Sequence, residues 1–186
     1  MSIMDEILAL YADRGDEAYF GECVSIAEHG LQAAHFARAA GARAALIVAA
    51  LLHDVGHLIG NAPDDLAEWT ADAAHERVGG RWLAERFPQE VSEPVRLHVP
   101  AKRYLLATDA DYFAKLSPAS VVTLKLQGGP MTREEAARFA DEPFHRDAVL
   151  VRRCDDAGKV AGLVTAGLLD YRDMIEAVSL KTASTG

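Results

Sequence analysis

His53 and Asp54 stand side by side behind an apolar run, Ala45-Leu46-Ile47-Val48-Ala49-Ala50-Leu51-Leu52. The run carries an imidazole and a carboxylate into what should be the interior. Taking an unsatisfied polar group out of water costs roughly 2–7 kcal/mol, and more if it is charged. A metal ion satisfies both groups at once. The pair has company: His29 lies upstream, and His75, His98 and Asp155 lie downstream. Imidazoles and carboxylates together form a ligand field for Fe, Mn, Co or Zn. Without thiolates the set does not read as a structural zinc site. It also holds more ligands than one open catalytic metal takes. Two metals sharing one carboxylate would use them all and leave positions for substrate. Asp54, with ligands on either side of it in sequence, is the natural bridge. His35 and His145 read as ordinary residues: His35 is six positions from His29 and off its face, and His145 follows Pro143 in charged surroundings.

Helical elements must carry these groups. Apolar periodicity predicts helices over 2–11, with Ile3, Ile7 and Leu10 on one stripe, and over 22–40, ending near Gly41. The segment 42–54 is apolar nearly all round and is expected as the central buried helix. Gly60, Asn61 and Pro63 mark 58–69 as a loop. A fourth helix is expected from Thr70 to about Phe87, and a fifth over 88–103, disturbed by Pro94 and Pro100. Ser117 caps a short helix with Pro118 in its first turn. Gln127-Gly128-Gly129-Pro130 is a turn, and Thr132 to Glu135 forms a capping box. Further helices are expected over 143–159 and 167–180. No segment alternates as a strand should, so the expectation is an all-α fold. It comprises a single domain over 1–186, with a core of about 19–160 and a C-terminal helix at about 167–180.

Composition narrows the function. The chain has 186 residues, half of them hydrophobic, and a net charge of −9. The charge argues against nucleic acid as a partner. A small anion would need a local cationic pocket. The N-terminus lacks the basic start of a signal peptide, and the longest apolar stretch, 44–52, is too short to span a bilayer. Cys23 and Cys154 make no disulfide framework and no zinc spacing. The expectation is a cytoplasmic protein with reduced cysteines and no membrane association. Oligomeric state is not legible.

The order His29 … His53-Asp54 … His75 … His98 … Asp155 resembles the dinuclear HD-domain superfamily of phosphohydrolases and mixed-valent di-iron oxygenases. Longer stretches resemble its organophosphonate-cleaving oxygenases: 19–29, 51–58, 124–129, and Arg152-Arg153-Cys154-Asp155-Asp156 with Lys159. That resemblance implies an Fe(II)/Fe(III) pair, with O2 and a small zwitterionic phosphonate as substrates. It implies oxidative C–P cleavage of a 1-hydroxy-2-(trimethylammonio)ethylphosphonate or a 2-amino-1-hydroxyethylphosphonate, giving phosphate with glycine betaine or glycine. It also implies that Tyr19 and Glu22 form a lid, in which the tyrosine can ligate an iron and the glutamate faces the substrate amine. Ile26 replaces a polar amide of the aminophosphonate type, which favours the bulkier head group. Tyr19, Phe20 and Trp69 offer aromatic surface for it.

Helical offsets support an anion site independently. Arg152 is three residues before Asp155, and Lys102 is four after His98. Ser120, Thr123 and Gln127 follow an i, i+3, i+7 stripe, and His57 comes just after the metal pair. Together they form a cradle for a phosphonate dianion. Glu22 and His29 lie seven apart on one predicted helical face. Read without the resemblance, Tyr19-Phe20 is a hydrophobic staple and Glu22 a first-turn partner of the helix dipole. Two other functions remain open: a phosphohydrolase acting on a nucleotide or phosphate ester through a metal-bound hydroxide, and a metal-binding or sensing module without turnover.

Overall fold

The computed structural model describes residues 2–19, 21–59 and 75–180. Ser2 with Asp5 and Ser25 with Glu28 form capping boxes that open α1 (Ile3–Arg14) and α2 (Ile26–Ala39). At the centre lies α3 (Ala44–Leu51), with Leu46 to Leu51 all buried. There follow α4 (Val55–Ile59), α5 (His75–Ala84), α6 (Gln89–Thr108), α7 (Pro118–Leu126), α8 (Arg133–Ala140), α9 (His145–Ala157) and α10 (Arg172–Val178). Short 3-10 turns at Phe113–Lys115 and Leu168–Tyr171 complete the described elements, none of which is a strand. The fold is an all-α bundle. Its core gathers Met4, Ile7, Val48, Leu83, Val95 and Ile175 around α3. None of the described helices is long and apolar enough to cross a membrane.

Four departures from the sequence expectations matter for the site. The central helix stops at Leu51 rather than Asp54, because Leu52 caps it at φ −106° and ψ 12°. Successive helical residues point about 100° apart at 3.6 residues per turn. The turn over 52–54 frees His53 and Asp54 from that constraint, so both face one centre. The second departure is Glu22. It stands not on a helix but in a turn closed by an antiparallel bridge between Ala18 and Ser25. Gly21 adopts φ 77° there, and Glu22 N donates to Tyr19 O at 2.7 Å. The Ser25–Glu28 capping box starts the helix later than periodicity implied.

Third, α6 runs through Pro94 and Pro100 to Thr108. Each proline leaves a carbonyl one turn back without its helical donor, yet packing along α5 and α9 carries the helix past both. Fourth, the C-terminal segment is a 3-10 turn followed by α10, not one helix. Trp69, Phe20, the loop around Gly60, Asn61 and Pro63, and the start of the fourth helix at Thr70 lie outside the described residues.

Glycines bring α4 and α5 together. A Cβ on Gly56 would sit 2.0 Å from the His75 carbonyl oxygen, and one on Gly79 would sit 3.1 Å from Gly56 N. That approach seats the His57 ring on the His75 ring, with centroids 4.0 Å apart. Gly56→Ala should therefore lower stability by about 3 kcal/mol, the upper end of overpacking costs, and pull His75 from its place. Urea unfolding measures the first effect and metal binding the second. A variant matching the parent in both would show that this approach is not needed.

Candidate metal centre and anion cavity

Two groups of side chains meet at Asp54. Facing its Oδ2 are His53 Nε2 at 3.3 Å and His29 Nε2 at 3.6 Å; facing its Oδ1 are His75 Nε2 at 3.3 Å and His98 Nε2 at 3.6 Å. Asp155 Oδ1 joins the first group, 3.3 Å from His29 Nε2. All of these side chains are buried. They arrive on α2, the turn after α3, α5, α6 and α9.

The backbone sets the histidine tautomers. Nδ1 donates to Gly158 O from His29 and to Ala50 O from His53, both at 2.8 Å, and to Val95 O from His98 at 2.7 Å. Each Nε2 then presents a lone pair. Yet His29 Nε2 and His53 Nε2 face each other at 3.1 Å. Two acceptors cannot satisfy one another. Asp54 Oδ2 and Asp155 Oδ1 are likewise buried without a hydrogen bond, which is costly for charged oxygens. A divalent cation against each group resolves all of these conflicts, and the nitrogen-oxygen donor set fits one. The residues present thus fit a metal.

Titration behaviour agrees. Burial, then the neighbouring His75, holds His98 down to about 3. Burial opposes a charge on His53, but Asp54 beside it prevails and lifts it to about 9. A proton is thus the competitor for that nitrogen when no cation is bound. Burial works against charge on Asp54 and Asp155 too, yet His53 and Arg152 respectively hold these carboxyls well below the usual range.

Beside the centre lies a cavity of about 40 Å³, lined in part by Tyr19, Glu22, His57, Lys102, Ser120, Thr123, Gln127, Arg152 and Lys159. A water needs about 10–15 Å³ by the same measure, so the space is small. Lys102 Nζ donates to Thr123 Oγ1 at 2.9 Å and Gln127 Oε1 at 3.1 Å. Burial, then Arg152, pushes its pKa down to about 7. Arg152 Nη1 reaches Asp155 Oδ2 at 2.7 Å. The Tyr19 ring lies on His29, centroids 4.0 Å apart. Burial, then Asp54, holds its phenol well above the usual value. Burial, then His75, keeps His57 neutral.

The structure brings the proposed ligands, cradle and lid residues into one region. His35 and His145 fall elsewhere, His35 against Phe36 and His145 bonded to Glu142 O. Cys23 and Cys154 are free. Ser117, expected only as a helix cap, Asp156 and Lys159, named only within a resembling stretch, and Tyr112 received no site role from sequence. Ser117 Oγ donates to Glu22 Oε1 at 2.5 Å across 95 positions. Lys159 Nζ donates to Ser120 Oγ at 3.0 Å and stands 3.7 Å from both Glu22 Oε1 and Asp155 Oδ1. Its i+4 spacing from Asp155 was a usable signal; the Ser117 and Tyr112 contacts left none.

The buried histidine-aspartate centre on an all-α bundle defines a metal-dependent class, and comparison with known proteins identifies it. Residues 26–156 match the HD-domain family. The chain is 46% identical to hydroxymethylphosphonate dioxygenase of Gimesia maris, over 91% of this chain and 85% of the relative. It is 42% identical to [1-hydroxy-2-(trimethylamino)ethyl]phosphonate dioxygenase (glycine-betaine-forming) of Leisingera caerulea, over 94% of this chain and 89% of the relative. The chain belongs to the HD-domain family and is an enzyme of its phosphonate-dioxygenase type, with a metal ion as cofactor.

Asp54→Ala should weaken metal binding at both groups by more than the roughly 10–100-fold that loss of an outer partner costs. Elemental analysis of anaerobically loaded protein measures it. A full complement in the variant would refute sharing of Asp54.

Proposed function

We propose that the protein is a di-iron dioxygenase that cleaves the C–P bond of a 1-hydroxyalkylphosphonate. His29, His53 and Asp155 would hold one iron, His75 and His98 the other, and Asp54 would bridge them. The observation that carries this reading is a two-group ligand set sharing a carboxylate next to a buried cationic cavity. An iron pair, when bound, supplies O2 activation and oxidation at C1. The overall change balances as R–CH(OH)–PO3H2 plus O2 giving R–COOH plus H3PO4.

The protein's own groups do the positioning. Lys102, with Thr123 and Gln127 as its hydrogen-bond partners, receives phosphonate oxygens together with Ser120 and the Arg152 side of the cavity. His57, neutral, offers a hydrogen bond without adding charge. Tyr19 covers His29 and excludes water.

The head group is the finer choice. A carboxylate at Glu22 suits the ammonium of a 2-amino or 2-(trimethylammonio) substrate, the pair that the sequence favours. In this fold Ser117 and Lys159 already stand against Glu22, so a cationic head group must share that carboxylate with an ammonium. A one-carbon substrate such as hydroxymethylphosphonate leaves the arrangement intact. Glu22→Gln should lower kcat/KM for the two ammonium-bearing substrates at least about tenfold, the loss of one close charge–charge contact, and change hydroxymethylphosphonate less than about threefold. Equal losses on all three would remove Glu22 from head-group recognition.

O2 dependence tests the reaction itself. Iron-loaded protein with a hydroxyphosphonate should release one phosphate per O2 consumed and none under anaerobic conditions. Anaerobic release would make the C–P cleavage hydrolytic and overturn the oxidative reaction. Lys102 gives a pH signature. It is an ammonium below about 7 and an amine above in the free enzyme, and only the ammonium attracts the dianion. The advantage of the parent over Lys102→Met in kcat/KM should therefore be large at pH 6 and shrink as pH rises through 7. A ratio independent of pH would rule out this role.

A further inference from the structure

Arg152 is buried between two consecutive carboxylates, and the division of its donors between them is specific. Nη1 goes to Asp155 Oδ2 at 2.7 Å. The other edge of the fork is taken by Asp156: Nη2 meets Oδ1, and Nε meets Oδ2 at 3.2 Å. Nε also donates to Tyr112 Oη at 3.0 Å, and Tyr112 Oη in turn donates to Asp156 Oδ2. Tyr112 is 1% exposed. Its segment is tied to α9 a second time by Arg153 Nη2 on Asp109 Oδ2 at 3.0 Å.

This arrangement has a consequence for Asp155. A guanidinium prefers to grip one carboxylate with two parallel hydrogen bonds. Here the bidentate grip is on Asp156, so Asp155 loses only Oδ2 to the arginine. Its Oδ1 stays bare, buried and 3.3 Å from His29 Nε2. Were Asp156 or the Tyr112 hydroxyl absent, the same fork could swing onto Asp155 and claim both oxygens. With two carboxylates against it, Arg152 also has its charge matched inside the protein. Lys102, whose hydrogen bonds go to the neutral Thr123 and Gln127, is then the cavity cation with charge left for an anion.

We propose that Tyr112 and Asp156 are positioning residues. They hold Arg152 in the orientation that limits it to one oxygen of Asp155 and reserves the other for a metal. The proposal rests on the metal-centre part of the reading above, but not on its substrate or reaction.

The test is Mn2+ affinity of the full-length apo-protein by chelator competition, for Tyr112→Phe, Asp156→Asn and Asp156→Glu, with thermal unfolding alongside. The first two variants should each bind Mn2+ roughly tenfold more weakly, the lower end of the cost of losing an outer partner. Asp156→Glu should recover most of the loss, because it restores a charged bidentate partner. In an Arg152→Gln background neither Tyr112→Phe nor Asp156→Asn should weaken binding further, because both act through that side chain.

Parent-like affinity in Tyr112→Phe and Asp156→Asn overturns the proposal. So do losses that simply add to that of Arg152→Gln, or losses that track the melting temperature across all variants. Tyr112→Phe keeps the buried ring, so it remains informative if the Asp156 variants fold poorly. Absence of phosphonate turnover in the parent, with these affinity differences intact, would sink the proposed reaction and leave this inference standing.

Discussion

A single buried carboxylate organises the molecule. Asp54 offers one oxygen to His29 and His53 and the other to His75 and His98. Gathering these groups without water is unfavourable for every one of them. The fold sustains it through the apolar surface of α3 and its neighbours, with Leu51 and Leu52 buried just ahead of the site. A bound cation would supply the rest, which would couple folding to metal loading. The polar centre is therefore the point of the design and the hydrophobic bundle its support.

Around that carboxylate, outer contacts decide what each ligand can offer. Backbone carbonyls at Gly158, Ala50 and Val95 set the donors of His29, His53 and His98, leaving their Nε2 lone pairs directed inward. Arg152 takes one oxygen of Asp155, and the Asp156–Tyr112 grip takes the remainder of the arginine. None of these partners is itself a ligand candidate. Each removes a competing option, and Asp54 Oδ2 and Asp155 Oδ1 are left without a hydrogen bond, facing the histidines.

Identity alone does not choose the head group. The two relatives at 46% and 42% identity carry names that differ in that part of the molecule. On the reading proposed above, the choice falls in the turn around Gly21, where Glu22 meets Ser117 and Lys159. The anion cavity and that turn share Lys159, which reaches both Ser120 and Glu22. On the proposed reading, recognition of the two ends of a substrate would be linked through this one ammonium.

Much of this was legible in one dimension. The apolar run 45–52, the ordered histidines and aspartates, and the helical offsets of Lys102, Arg152 and the Ser120 stripe follow from local periodicity, which composition and spacing determine directly. What the sequence could not determine depended on the ends of elements and on distant partners. The break at Leu51 that lets His53 and Asp54 face one centre is a cap, not a periodicity. Glu22 left its expected helix because a capping box and a positive-φ glycine prevailed over a seven-residue spacing. The Ser117–Glu22 and Tyr112–Asp156 contacts join residues 95 and 44 positions apart. Only tertiary packing brings such groups within hydrogen-bond range, because nothing in a linear pattern encodes which two helices will lie side by side.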